Sequence, residues 1–128
     1  MITPEQIIEE ANQRFGGTVI HNVWGEHGLF YNLGQVLKRG VYIMTVKLKD
    51  GDNDWASDLA REGIYRINTG IRKDTFRKLF GDLPGRPKAG GIVDMNYDFT
   101  STNLIMPHPA YAWMGGDLYI KPCGGSVF

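Results

Sequence analysis

Among the three histidines, His21, His27 and His108, the last sits in the segment IMPHPAYAW between Pro107 and Pro109. A proline on each side fixes the backbone there and excludes a helix. A pinned imidazole followed by Tyr111 and Trp113 can act as a general base or grip a ligand. Asp98 is the carboxylate nearest before it in the chain, so His108 and Asp98 are the candidate catalytic pair. In the competing reading the ring bonds a carbonyl or Asp98 and locks the last connection onto a sheet. His21 and His27 can meet across a hairpin beside Glu26, which gives a polar turn. No histidines are spaced as metal ligands on one helix, and neither CxxC nor HExxH occurs. Neither a metal nor a cofactor is therefore expected. Ser57 lacks a GxSxG elbow, and Cys123 lies between a proline and two glycines with no histidine near it.

A second group lies in IYRINTGIRKDTFRKLFG. Arg66 and Asn68 alternate with Tyr65, Ile67 and Thr69, so both project from one strand face. If that face is open, Arg66, Asn68, His108, Tyr111 and Trp113 form a polar ligand site. The stretch also places Gly70, Arg72 and Lys73 between a strand and a helix, where many proteins hold phosphate. A phosphate cradle needs several glycines and converging N–H groups, and one glycine followed by Asp74 at the helix start does not supply them. Arg72, Lys73, Arg77, Lys78, Arg86 and Lys88 are the densest basic run and the candidate nucleic-acid contacts. Asp50, Asp52 and Asp54 in KDGDNDW superficially suggest calcium. The glycine falls between the first two acids, however, and Arg61 occupies the position of the bidentate glutamate. A solvated loop is the expectation.

These residues need elements to position them. TPEQIIEEANQRFGG reads as a helix: Thr3 caps, Pro4 suits the first position, and Gln6 completes a capping box. Ile7, Ile8, Ala11 and Phe15 make its apolar face, and Gly16 or Gly17 ends it. Strands are expected over 18–24, 29–33 and 40–48, with GEHG as a turn. Met44, Val46 and Leu48 alternate with Thr45 and Lys47. A further strand over 64–71 leads to a short helix over 74–80, stopped by Gly81. Residues 81–91 form a loop, and an irregular or helical piece precedes Pro107. A last strand spans 117–121, and about 122–128 form a disordered tail. Helix followed by serial strands predicts an α+β domain, a mostly antiparallel sheet with an N-terminal helix and a short second helix.

The totals bound the function. A chain of 128 residues fits one domain spanning 1–128. Lys plus Arg and Asp plus Glu number 14 each, so no overall field draws the chain to nucleic acid or anionic lipid. A single cysteine excludes an internal disulfide and points to a reducing compartment. MITPEQIIEE lacks the basic and apolar regions of a signal peptide, and no apolar run approaches a span. The expectation is a cytoplasmic protein.

Two blocks, GIYRINTGIRKDTFRKLFG over 63–81 and DFTSTNLIMPHPAYA over 98–112, resemble the uncharacterised bacterial family called domain of unknown function 6194. WGEHGLFYN and DWASDLAREG resemble that family's aromatic strand and its S-x-L-x-R-x-G approach. The resemblance covers most of the chain after residue 18 and implies no activity. More remotely, the order of elements is similar to the YjbR-like proteins, which implies an α+β sandwich of the secretion-chaperone kind with a closing C-terminal helix. This chain ends in CGGSVF instead, so the expectation is that either one sheet face is less covered or a second copy covers it. DNA binding, a label some YjbR-like proteins carry, is not carried over.

The residues thus predict a non-enzymatic ligand-binding or protein-interaction module, with a homodimer among the forms it can take. The alternative is a small hydrolase or isomerase using His108 with Asp98 or Glu26. Weak nucleic-acid binding through the run from Arg72 to Lys88 is a third reading, disfavoured by the neutral charge balance.

Overall fold

A computed structural model of the chain describes residues 3–23 and 26–122. Helix α1 (Pro4–Arg14) starts as its sequence dictates. The Thr3 hydroxyl accepts from the Gln6 N–H, the Gln6 side chain accepts from the Thr3 N–H, and Pro4 occupies the first turn. Strands β1 (Thr18–Val23), β2 (Glu26–Tyr31), β3 (Val41–Lys47) and β4 (Ile64–Gly70) follow. Helix α2 (Lys73–Phe80) comes next, then β5 (Leu104–Pro107) and β6 (Gly116–Pro122). All six strands form one antiparallel sheet in the order β1-β2-β3-β4-β6-β5. The fold is α+β, as expected from the sequence.

Helix α1 covers one sheet face. Ile7, Ile8 and Ala11 pack on Leu29, Val46, Tyr65 and Ile67. On the other face a second core gathers Phe76 of α2 with Val93, Phe99, Met106 and Ala112. Pairing through β6 sets Met106 level with Asn68. That second core therefore stops part-way across the sheet, beside the face that carries Arg66 and Asn68. The face over β2, β3 and β4 is left for another use.

Several local details differ from the sequence reading. Strand β2 begins at Glu26 and takes in most of the stretch read as the turn GEHG; Trp24 and Gly25 lie outside the described residues. Strand β3 contains a bulge. Leu29 pairs with Met44, but Phe30 pairs with Tyr42. The extra residue brings Tyr42 onto the same face as Thr45, which is why alternation held only near the strand's end. The irregular piece expected before Pro107 is the edge strand β5. Its proline closes the strand, where a missing N–H costs no ladder bond. Pro122 ends β6, inside the stretch read as a tail. The rest of that stretch, Cys123 included, lies outside the described residues. No helix among the described residues is long and apolar enough to cross a membrane.

Candidate functional site

The part of the second sheet face that the second core does not cover is built as rows of cross-strand neighbours. Gly28, Thr45 and Asn68 form one row, and Lys47 and Arg66 the next. Only glycine fits at position 28, because a Cβ there would lie 2.7 Å from the His21 carbonyl oxygen and 2.8 Å from the Phe30 ring. The Phe30 ring in turn packs edge-on against Tyr42.

Arg66 is the organising residue. Its side chain is fully buried, and a guanidinium in that position needs a counter-charge and partners for all five N–H groups. Nε donates to Asn68 Oδ1 at 2.6 Å, and Nη1 donates to Asp54 Oδ1 at 2.9 Å and Ser57 Oγ at 3.1 Å. Nη2 donates to Asp54 Oδ2. Lys47 Nζ lies 3.7 Å from the same Asp54 oxygen. Burial pushes the Asp54 carboxyl up, but hydrogen bonds from His108 and Arg66 and the Arg66 charge outweigh it and hold it well below the usual carboxylate range.

His108 joins this cluster by its back. Its Nδ1 accepts from the Ala110 N–H at 3.0 Å and the Tyr111 N–H at 3.2 Å. Two backbone donors assign the lone pair to Nδ1 and the proton to Nε2. That proton points at Asp54 Oδ2, 3.5 Å away, so His108 Nε2 and Arg66 Nη2, 3.2 Å apart, share one carboxylate acceptor. Burial lowers the His108 pKa, the Asp54 bond raises it, and the nearby Arg66 charge lowers it again; the net direction is down. The imidazole is neutral at neutral pH, and its lone pair is committed to a backbone turn. It has no nitrogen free to take a proton from a substrate.

The carboxylate beside His108 is thus Asp54, not Asp98. Asp98 is exposed and bound to Thr100, whose hydroxyl and N–H hold its carboxyl below the usual value. The acidic loop is likewise no plain solvated turn. A bridge between Gly51 and Asp54 folds it back, Asp50 accepts from the Leu59 N–H, and Asp54 docks on the sheet. No group of three or more metal-type side chains comes together among the described residues.

Above this floor lies a cleft of about 660 Å³. That volume falls inside the roughly 300–1,000 Å³ of small-molecule sites. Its polar side is made by Glu26, Thr45, Lys47, Asp54 and Asn68. Its apolar side is made by Tyr42, Ile71, Tyr111 and Met114, and His108 stands behind Tyr111 with ring centroids 4.9 Å apart. Glu26 reaches in from β2, its Oε1 accepting from Thr45 Oγ1 at 2.9 Å and Asn68 Nδ2 at 3.0 Å.

The structure therefore gathers Arg66, Asn68, His108 and Tyr111 of the expected ligand site. Trp113 stands apart, packed against the second core with Nε1 donating to the Ala110 carbonyl. Sequence reading missed Tyr42, Thr45 and Lys47. The available signal was Lys47 on the inner side of an alternating strand, where a charge needs a partner. Of the basic run, Arg72, Lys73, Arg77 and Lys78 are exposed on or beside α2. Arg72 Nε lies 3.7 Å from Asp74, Arg86 stacks 4.8 Å over the Trp113 ring, and Lys88 is exposed in the loop beyond. The stretch resembling S-x-L-x-R-x-G is structural here. Ser57 serves Arg66, Leu59 is buried, and Arg61 donates to the Ser57 and Thr100 carbonyls.

A family model described as a family of unknown function (DUF6194) matches residues 2–117. No curated protein matches the chain, and no solved structure does.

Proposed function

We propose that this chain, which belongs to the family of unknown function DUF6194, is a non-enzymatic module that binds a small organic molecule in the cleft over β2, β3 and β4. One observation carries the reading. The cleft floor is a buried, hydrogen-bonded polar cluster centred on Arg66, overlaid by an apolar wall. A rigid polar base with an apolar side is the usual make-up of a small-molecule site. The hydrolase or isomerase reading through His108 ranks lower, because its lone pair is engaged by Ala110 and Tyr111. Nucleic-acid binding ranks lower too, since the chain is neutral and Arg86 is committed to Trp113.

Gly70 provides the test. It shares the face of Arg66 and Asn68, its backbone φ is not positive, and an added Cβ would meet the Tyr42 ring at an ordinary 3.4 Å. Gly70→Leu therefore fills the cleft from a strand position that tolerates leucine. A fragment screen by amide chemical shift should find compounds that move the Tyr42, Thr45, Asn68 and Tyr111 signals. Those shifts should vanish in Gly70→Leu while the remaining spectrum stays native. If fragments bind the variant as well as the parent, the cleft is not the site.

A second reading, contact with another protein or another copy of this chain, is favoured by the exposed apolar side chains between β2 and β3. Leu33, Val36, Leu37 and Val41 all face solvent, Val36 at 83%. Sedimentation of the parent against Val36→Asp tests self-association there. The order of helix, antiparallel strands, short helix and closing strand also supports the YjbR-like, secretion-chaperone type of fold as part of this proposal. The single cysteine, which can form no internal disulfide, supports a cytoplasmic setting.

A further inference from the structure

Glu26 and Lys47 carry opposite charges on adjacent strands, and the register that pairs His27 with Val46 brings them level. Cross-strand neighbours of opposite charge ordinarily pair. Here no ion pair joins them among the described residues. Glu26 turns one way, and both of its hydrogen bonds fall on Oε1, from Thr45 and Asn68. Its Oε2 receives none among the described residues. Lys47 turns the other way toward Asp54, at a distance of 3.7 Å that is too long for a hydrogen bond. Its ammonium has three donors, and no hydrogen bond to another group engages them among the described residues. Both side chains line the same cleft.

We infer that the cleft takes a small zwitterion with an apolar side chain, of the α-amino acid class. Its ammonium is held by Glu26 Oε2 and its carboxylate by Lys47 Nζ. Its side chain lies along Tyr42, Ile71, Tyr111 and Met114. The inference deepens the binding reading above and rests on it. The charge count fits a neutral guest. Arg66 and Lys47 balance Asp54 and Glu26, and His108 is neutral, so an ion of either sign would leave the floor unbalanced. A zwitterion completes both half-used groups and leaves the total unchanged. The guanidinium cannot serve as the carboxylate's partner, because Arg66 is wholly buried, four of its five N–H groups go to Asn68, Asp54 and Ser57, and Nη2 is hemmed in by His108 Nε2 at 3.2 Å.

The test uses four probes of one length: norleucine, hexylamine, hexanoate and hexanol, titrated into the full chain by calorimetry and amide shifts. Norleucine is expected to bind at least about tenfold tighter than either singly charged probe, the scale of one charge-assisted hydrogen bond. Glu26→Gln should weaken norleucine and hexylamine and spare hexanoate. Lys47→Met should weaken norleucine and hexanoate and spare hexylamine. Glutamine is isosteric with glutamate, methionine keeps the apolar stem of lysine but is one atom shorter, and thermal melts of each verify the fold. If hexylamine, hexanoate or hexanol matches norleucine, or if other fragments fill the cleft while norleucine does not, the zwitterion is overturned and the cleft reading survives. If no probe or fragment moves the cleft signals, both are overturned together.

Discussion

Replacing Asp54 by asparagine would test whether Arg66 holds this face of the sheet together. The guanidinium is wholly inaccessible to solvent and the carboxylate is 11% exposed. Asparagine keeps the shape but removes the charge. It also presents an NH₂ where Asp54 now accepts from Arg66, with His108 and Lys47 close to the same oxygen. Breaking a buried pair from one side leaves the other charge uncompensated, which costs roughly 3–5 kcal/mol. Lys47 and Glu26 are close enough to rearrange, so the lower end, about 3 kcal/mol, is the expected value. With an unfolding entropy of roughly 2.1 cal/mol/K per residue over 128 residues, that is a fall of about 11 °C in Tm.

Urea unfolding followed by tryptophan fluorescence gives the free energy, and Arg66→Met and the double variant complete a cycle. The double variant removes both charges, so it should cost less than the sum of the singles by about 1.5 kcal/mol or more. A loss below about 1 kcal/mol in Asp54→Asn, within the range of surface ion pairs, or a strictly additive cycle, would refute the reasoning. Arg66 would then be held by its neutral partners alone.

The pH response has a definite sign. His108 has its pKa lowered in the folded chain, so the unfolded chain binds the proton more readily below the ordinary histidine value of about 6.5. Stability should fall as pH drops through that value. His108→Asn, whose Oδ1 can replace Nδ1 as acceptor, should flatten this part of a urea-midpoint profile. Asp54 acts at lower pH, below the ordinary carboxylate value of about 4, where the unfolded chain gains a proton that the folded chain refuses; Asp54→Asn should remove a further drop in the same profile. Arg86→Ala should lower stability by about 0.5–1 kcal/mol through the lost stacking on Trp113, with amide signals at the cleft unchanged. Thr3→Ala should cost about 1 kcal/mol by uncapping α1, measured by the same urea midpoint.

What could be read from the chain was what is locally determined. The α1 cap is a contact between residues three apart, and Thr3, Pro4 and Gln6 spell it out. The alternation of Arg66 and Asn68 with Tyr65 and Ile67 follows from strand geometry alone, and both sheet faces confirm it. The β3 bulge was not legible, because nothing in VYIMTVK marks which residue is extra; the partner strand decides. Strand β5 was hidden by Pro107, whose breaker signal is strong although an edge strand tolerates it. The pairing of His108 with Asp54 was hidden for a different reason. Asp98 is closer along the chain and Asp54 lies among loop-forming residues, yet the buried charge of Arg66 draws Asp54 in. The demand came from a residue on another strand.

That demand also explains why the cleft has its present form. A buried guanidinium is costly unless every N–H and its charge are met. Asn68, Asp54 and Ser57 meet the charge and four of the five N–H groups, and Asp54 in turn holds His108, whose ring fixes the turn carrying Tyr111. One wall of the cleft is thereby tied to its floor through a chain of hydrogen bonds. Such a floor is expensive for a chain of this size if it serves packing alone, since an apolar cluster of similar volume would be at least as stable. What apolar packing cannot supply is a fixed polar surface next to a fixed aromatic one. Glu26 and Lys47, the two charged groups of the floor with capacity left over, stand at the boundary between those surfaces, where a ligand would meet both.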